Sequence, residues 1–210
     1  MKQLLVILFV VLVSAACSLP KSDLPPVSIY TIQVPASSVE PVTIPVHMVV
    51  GISYISPALD SNRIIVMPDA NRYDYVANAG WPATTSVYVR DLMIRTFLDS
   101  HAFRSVSNTP LSGATNYSLN LQIQDFEAIY DLDKEAPRIR VRLVGMITGL
   151  DGRQPIPESV VNAEAVREAA DNTMAAIIKA FESAFQQVAL EIQTAVLDDI
   201  SRQLKASKNP

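Results

Sequence analysis

Tyr117-Ser118-Leu119-Asn120-Leu121-Gln122-Ile123-Gln124-Asp125-Phe126-Glu127-Ala128-Ile129-Tyr130 is the stretch whose pattern decides the fold. Leu119, Leu121 and Ile123 alternate with Asn120, Gln122 and Gln124, the period-two signature of a strand with one apolar and one polar face. The phase then slips at Asp125, after which Phe126, Ala128 and Tyr130 continue the apolar row. A one-residue slip would turn every later side chain to the wrong face, so the pattern predicts a bulge near Gln124-Asp125 that absorbs it. Downstream, Arg138 to Thr148 alternates again, with Ile139, Val141 and Leu143 inward and Arg138, Arg140 and Arg142 outward. Asp151-Gly152 supplies a hairpin turn, and Arg153 to Ala163 returns as a last strand whose Pro155 and Pro157 suit a sheet edge.

Upstream of this hairpin the strands are shorter. The alternation of Ile29, Thr31 and Gln33 with Ser28, Tyr30, Ile32 and Val34 reads as a first strand, followed by a proline-broken loop over Pro35 to Pro45. Val46 to Val50 and Arg63 to Met67 are apolar runs that suit buried strands, and Asn71 to Ala77 reads as another, ending at Asn78-Ala79-Gly80. Pro82-Ala83-Thr84-Thr85-Ser86 opens a helix with proline near the first turn and hydroxyls for the cap. Val89, Leu92, Met93, Thr96 and Phe97 then form one apolar stripe to about Ser100.

Asp171-Asn172-Thr173 caps a final helix in which Ile177, Ile178, Phe181, Phe185, Val188, Ile192, Val196 and Ile200 keep one face over about nine turns, on the order of 45 Å. Its length predicts a far end that projects beyond the sheet and meets another chain, a homo-oligomer being one such arrangement. The fold class is α/β: a mixed sheet with packed helices and a long C-terminal helix, over residues 27–205.

Before that domain stands a leader. Met1-Lys2-Gln3 is cationic, Leu4 to Val13 is apolar, and Ser14-Ala15-Ala16-Cys17 follows, which is the layout of a secretory signal over residues 1–16. The apolar run is well short of the roughly 20 residues of a permanent span. Cys17 is the only cysteine, so no internal disulfide forms. Its position after Ala15-Ala16 resembles a bacterial lipobox, with Ser14 where leucine is usual, and marks Cys17 as the lipid attachment site. Ser18, where aspartate would hold a lipoprotein at the inner membrane, resembles an outer-membrane address. Residues 17–26 form a proline-bearing tether with a reach of about 25 to 30 Å.

The composition excludes several chemistries. A net charge of −4 and pI near 5.2 argue against nucleic-acid binding. Only His47 and His101 are present, and no nucleophile elbow, Walker loop, zinc spacing or dinucleotide fingerprint occurs, so neither catalytic residues nor cofactors nor metals are expected. Asp125, Glu127, Asp131, Asp133 and Glu135 form a carboxylate cluster without the glycine of a calcium loop. It reads as a solvated strand edge and loop opposite the Arg138, Arg140 and Arg142 row. Two other readings stay open: the arginines grip an acidic partner or lipid phosphate, or Asp125 and Glu127 serve as acid and base on an envelope glycan. Tyr73, Tyr75 and Trp81 gather around Asn78-Ala79-Gly80, either as a recognition surface or, for Trp81, as core.

Four segments together resemble the ABC-type transport auxiliary lipoprotein family: Ser56-Pro57-Ala58-Leu59-Asp60-Ser61-Asn62-Arg63-Ile64, Tyr75-Val76-Ala77-Asn78-Ala79-Gly80-Trp81, Leu98-Asp99-Ser100-His101-Ala102-Phe103-Arg104-Ser105-Val106, and Tyr117 to Leu121 leading to Asp125-Phe126. They lie in the family's order behind a lipoprotein signal and before a long helix. The resemblance implies a periplasmic α/β domain similar to the TolB N-terminal domain, tied to the outer membrane. It also implies partnership with mammalian-cell-entry-domain or paraquat-inducible-type transport systems that carry lipids between membranes. Such a subunit docks the conduit and has no ATPase activity; the candidate contacts are Asp60, Arg63, Tyr75 and Trp81. A lipoprotein scaffold or activator of another envelope machine is the alternative.

Overall fold

The computed structural model describes residues 26–35, 43–69, 71–112, 116–131, 133–149 and 160–206. The signal, Cys17, nearly all of the tether, the Asp151-Gly152 turn, Pro155 and Pro157 lie outside the described residues. Eight strands form one mixed sheet: β1 (Ser28–Ile29), β2 (Ile44–Ile55), β3 (Arg63–Asp69), β4 (Arg72–Gly80), β5 (Phe103–Ser107), β6 (Asn116–Ile129), β7 (Arg138–Gly149) and β8 (Val160–Glu168). Among the described residues two helices, α1 (Thr85–Asp99) and α2 (Met174–Ala206), accompany it. The α/β class, the mixed sheet and the long last helix are as the sequence predicts.

The 14-residue β6 organises the sheet. β7 pairs with it antiparallel along one edge, and β8 pairs with β7. The other edge is shared: β2 runs parallel to its first half and β3 parallel to its end, at Val66↔Ala128 and Met67↔Ile129. β5 then lies outside β2, and β4 and β1 lie outside β3. The predicted bulge is present. The β6–β7 register shifts between Ile123 and Asp125, so Ile123 opposes Leu143 while Asp125 opposes Arg142. Leu119, Leu121, Ile123, Phe126 and Ala128 consequently all reach the core.

That core lies between the sheet and both helices. Val89, Leu92, Met93, Thr96 and Phe97 of α1 are all buried, as their spacing predicts. On α2 the buried face is Ile177, Phe181, Phe185, Val188, Ile192, Val196 and Ile200, with Ile178 at its margin. Thr173 Oγ1 accepts the Ala176 N–H at 3.3 Å and Asp171 Oδ1 accepts the Thr173 N–H at 2.7 Å, so the predicted cap is built. At 1.5 Å per residue the 33-residue helix is roughly 50 Å long. Fourteen residues of β6 at about 3.3 Å each span roughly 46 Å. The helix packs along β7 and β8, and Ile200 is still fully buried while Leu204 packs at the margin. The expected projecting end is therefore absent as far as Leu204.

Two local expectations are corrected. Only Ser28 and Ile29 pair with the sheet; beyond Tyr30 the chain crosses onto the helix layer. There the Ile32 N–H donates to the Tyr88 hydroxyl at 2.8 Å, the Gln33 N–H to Glu182 at 2.9 Å, and Gln186 Nε2 to the Gln33 carbonyl at 3.1 Å. Helix side chains, not a neighbouring strand, satisfy this backbone. The start of α1 also differs, because its N-cap residue Thr84 makes no side-chain cap bond. The Ser61 carbonyl accepts the Thr85 N–H at 3.0 Å, and Asp60 Oδ1 accepts the Ser86 N–H at 3.0 Å.

Candidate docking site

Trp81 is 1% exposed and lies at the centre of an aromatic cluster. Its ring stacks on Tyr88 at 5.4 Å and meets Phe126 and Phe181 edge-on at 5.7 and 5.2 Å. Burial of this kind ties α1, β6 and α2 together and leaves no surface for a partner, so of its two predicted roles Trp81 has the core one. Asp60 is half-buried and committed to the amide of Ser86.

Arg63 and Tyr75 are differently placed. The Arg63 guanidinium carbon sits 4.1 Å above the Tyr75 ring centroid, a cation–π pair on the β3–β4 hairpin. Ile64 and Val66 of β3 point to the helices, so Arg63 and the alternate positions of β3 and β4 face the opposite side of the sheet. Two residues along β4, Tyr73 is 43% exposed. Burial, then Glu127 and Asp125, push its phenol upward from the usual tyrosine range.

Those charges are the carboxylates and arginines singled out in the sequence. Arg140 Nη2 lies 2.8 Å from Glu127 Oε1 and 3.2 Å from Asp125 Oδ1; Arg142 Nε lies 2.5 Å from Asp125 Oδ2; Arg138 Nε lies 3.1 Å from Asp131 Oδ2. Lys134 pairs with Glu168. Opposite charges do face each other across β6 and β7, as expected, but Asp125 and Glu127 are not solvated: they are 5% and 0% exposed. The cause is the bulge, which sets both on the helix-free face directly under the guanidinium groups of the next strand. Burial raises the Glu127 carboxyl above the usual carboxylate range, opposed by the Arg140 hydrogen bond.

Asp125 and Glu127 are buried and paired with Arg140 and Arg142, a placement that gives no support to the acid and base reading. Arg138, Arg140 and Arg142 each pair with a carboxylate of β6 or the loop after it, with side chains 39%, 31% and 38% exposed. Asp133 and Glu135 are exposed, as a loop should be. Among the described residues, no group of three or more His, Cys, Asp or Glu side chains is placed to hold a metal ion, and no helix is long and apolar enough to cross a membrane. His47 is buried as a structural residue: its Nε2 donates to the Thr109 carbonyl at 2.9 Å, and its Nδ1 lies 2.7 Å from Ser105 Oγ.

The helix-free face thus carries a continuous strip in which Arg63, Tyr75 and Tyr73 run into the Arg140, Glu127, Asp125 and Arg142 network. Sequence reasoning located its members but missed that the sheet brings hairpin and network side by side. The only available signal was the shared edge of β6, which no local pattern contains.

The described residues form a two-layer α/β domain with both helices on one face of the sheet. The matching family model, described as an ABC-type transport auxiliary lipoprotein component, covers residues 30–193. The chain belongs to that family. Among curated proteins, none matches it. A crystal structure of a Xanthomonas campestris protein is similar at 22% identity with TM-score 0.66, over 84% of this chain and 99% of that one. A second, of a protein described as uncharacterized, is similar at 15% identity with TM-score 0.60, over 82% and 99%. Likeness at such low identity concerns the fold.

Proposed function

We propose that this chain is the docking subunit of an ABC-type transport system whose periplasmic conduit is built from mammalian-cell-entry domains and carries lipids between membranes. Family membership over residues 30–193 is the observation that carries the reading. In it, residues 1–16 are removed, Cys17 is acylated, Ser18 directs the product to the outer membrane, and residues 17–26 tether the domain 27–205 in the periplasm. The domain acts by binding and performs no catalysis. Arg63 and Tyr75, flanked by Tyr73, provide the contact strip, while Asp60 and Trp81 hold the hairpin and α1 in position beneath it.

The test is in-cell crosslinking followed by purification from detergent extract. Recovery of a protein with mammalian-cell-entry domains is expected, and its yield falls at least severalfold for the Arg63→Glu/Tyr75→Ala double variant, whose fold is checked by its melting curve. Repeated crosslinking without such a partner, or recovery of cell-wall synthase components instead, overturns the proposal.

A further inference from the structure

A bulge builds the cation–π pair on the β3–β4 hairpin. Arg63 opposes Gly80, so in a regular antiparallel ladder Ile65 would oppose Asn78. It opposes Tyr75 instead. The extra residues of β4 are absorbed between these two pairs, where Asn78 takes a φ of 53°, and the Tyr75 ring is brought to 4.1 Å from the Arg63 guanidinium carbon. The ring holds the guanidinium in place and shields one side of it from water, while the rest of this exposed side chain leaves its N–H donors to solvent.

Those donors have no acceptor within the molecule. Among the described residues of β3, β4 and β7, Arg72 pairs with Asp69, and Arg138, Arg140 and Arg142 pair with Asp131, Glu127 and Asp125, but Arg63 meets no carboxylate. The acids nearest to it in the chain are taken. Asp60 accepts the Ser86 N–H, Asp69 holds Arg72, and Asp74 accepts the Tyr75 N–H at 2.8 Å.

Charge decides which anion fits. The chain carries −4 overall, and Asp125, Glu127, Arg140 and Arg142 beside the hairpin balance one another, so a polyanionic surface is repelled while a single carboxylate neutralises the one cation left over. The flanks are apolar. Ile29, 56% exposed, shares the Gly80 row with Arg63, and Tyr73, 43% exposed, lies two residues from Tyr75 on the same face of β4. Apolar groups around an arginine–carboxylate pair exclude water from it and strengthen it.

We infer that Arg63, backed by Tyr75, binds an aspartate or glutamate side chain of the transport partner, with an apolar neighbour of that acid lying between Tyr73 and Ile29. The inference rests on the docking proposal and deepens it by giving the chemistry of the contact: one acidic side chain on an otherwise uncharged surface.

The test is made in cells with the full chain. A photo-crosslinking residue at position 73 is expected to capture a partner segment that contains an aspartate or glutamate. Arg63→Gln lowers the yield about tenfold, as loss of a charge-assisted hydrogen-bond pair should, with the melting curve unchanged. Tyr75→Phe, which keeps the ring, leaves the yield as it is. Replacing the partner's acid by its amide lowers the yield equally and adds nothing to Arg63→Gln, and Arg63→Glu is rescued by an arginine at the acid's position. Additive losses at the two positions, failure of the rescue, or capture of phospholipid in place of polypeptide overturns the inference. A yield that rises in Asp23→Asn also overturns it, because the tether's own carboxylate would then be what Arg63 holds. A captured mammalian-cell-entry-domain partner whose yield ignores Arg63→Gln refutes the carboxylate contact alone; an acid-dependent contact with a protein lacking such domains refutes the docking proposal alone.

Discussion

Glu127 has no exposed surface yet keeps a charged partner, and the balance between these facts sets its pH behaviour. Burial raises its carboxyl in the folded state above the ordinary value near 4.5, so the folded chain binds this proton more readily than the unfolded chain. Folded stability from this group therefore falls as pH rises through its folded-state pKa and is regained as pH falls toward 4.5. Glu127→Gln has no such titration. In denaturant titrations the stability of the wild type relative to Glu127→Gln should grow as pH is lowered from 8 to 5; the opposite trend would refute the assignment. His101 offers a second residue-scale test. It ends α1 with φ of 53°, its N–H donating to the Leu98 carbonyl at 3.1 Å. This left-handed position favours glycine. His101→Gly should leave stability unchanged or raise it by up to about 1 kcal/mol, whereas His101→Val should lower it measurably in the same thermal melt.

Among the elements, α1 and β6 show what local patterns reveal and what they omit. The stripe from Val89 to Phe97 and the bulge in β6 were both legible, because periodicity records which side chains must share a face. The cap of α1 was not legible. Its acceptor comes from Asp60, 26 residues upstream, and hydroxyls at Thr84 to Ser86 look like a local cap whether or not they make one. Asp60→Ala should therefore cost about 0.5–2 kcal/mol in chemical denaturation, while Thr84→Ala costs less. In β6, two residues oppose one position of β7 at the bulge, so deleting Gln124 leaves Ile123 and Phe126 facing the core and keeps Asp125 opposite Arg142. Deleting Gln122 instead reverses the earlier alternation. The Gln124 deletion should retain a cooperative melt and the Gln122 deletion should lose it or fall far below.

At the scale of the whole molecule, anchoring and recognition are separable in the proposed scheme. Cys17→Ala should lose acyl labelling and leave the outer-membrane fraction while the domain keeps its melting temperature, since residues 30–193 contain the family's domain. If that variant stays with the membrane, the lipid tether is not what holds the protein there. A two-layer fold suits such a role. One sheet face is sealed by α1 and α2, which makes the domain stable, and the other is left to side chains that pair among themselves at its centre and remain available at its hairpin edge.

By itself, the sequence determined the elements reached by periodicity and the family they compose: the β6–β7 hairpin with its bulge, the stripes of α1 and α2, the cap at Thr173, and the order of motifs behind a lipoprotein-like leader. Only the tertiary structure decided the fate of individual polar and aromatic groups. Asp125 and Glu127 became buried, Trp81 became core, and Asp60 became a cap. The physical reason is one of range: periodicity is set by neighbours two to four residues apart, whereas burial and ion pairing depend on segments that meet only after the sheet has assembled.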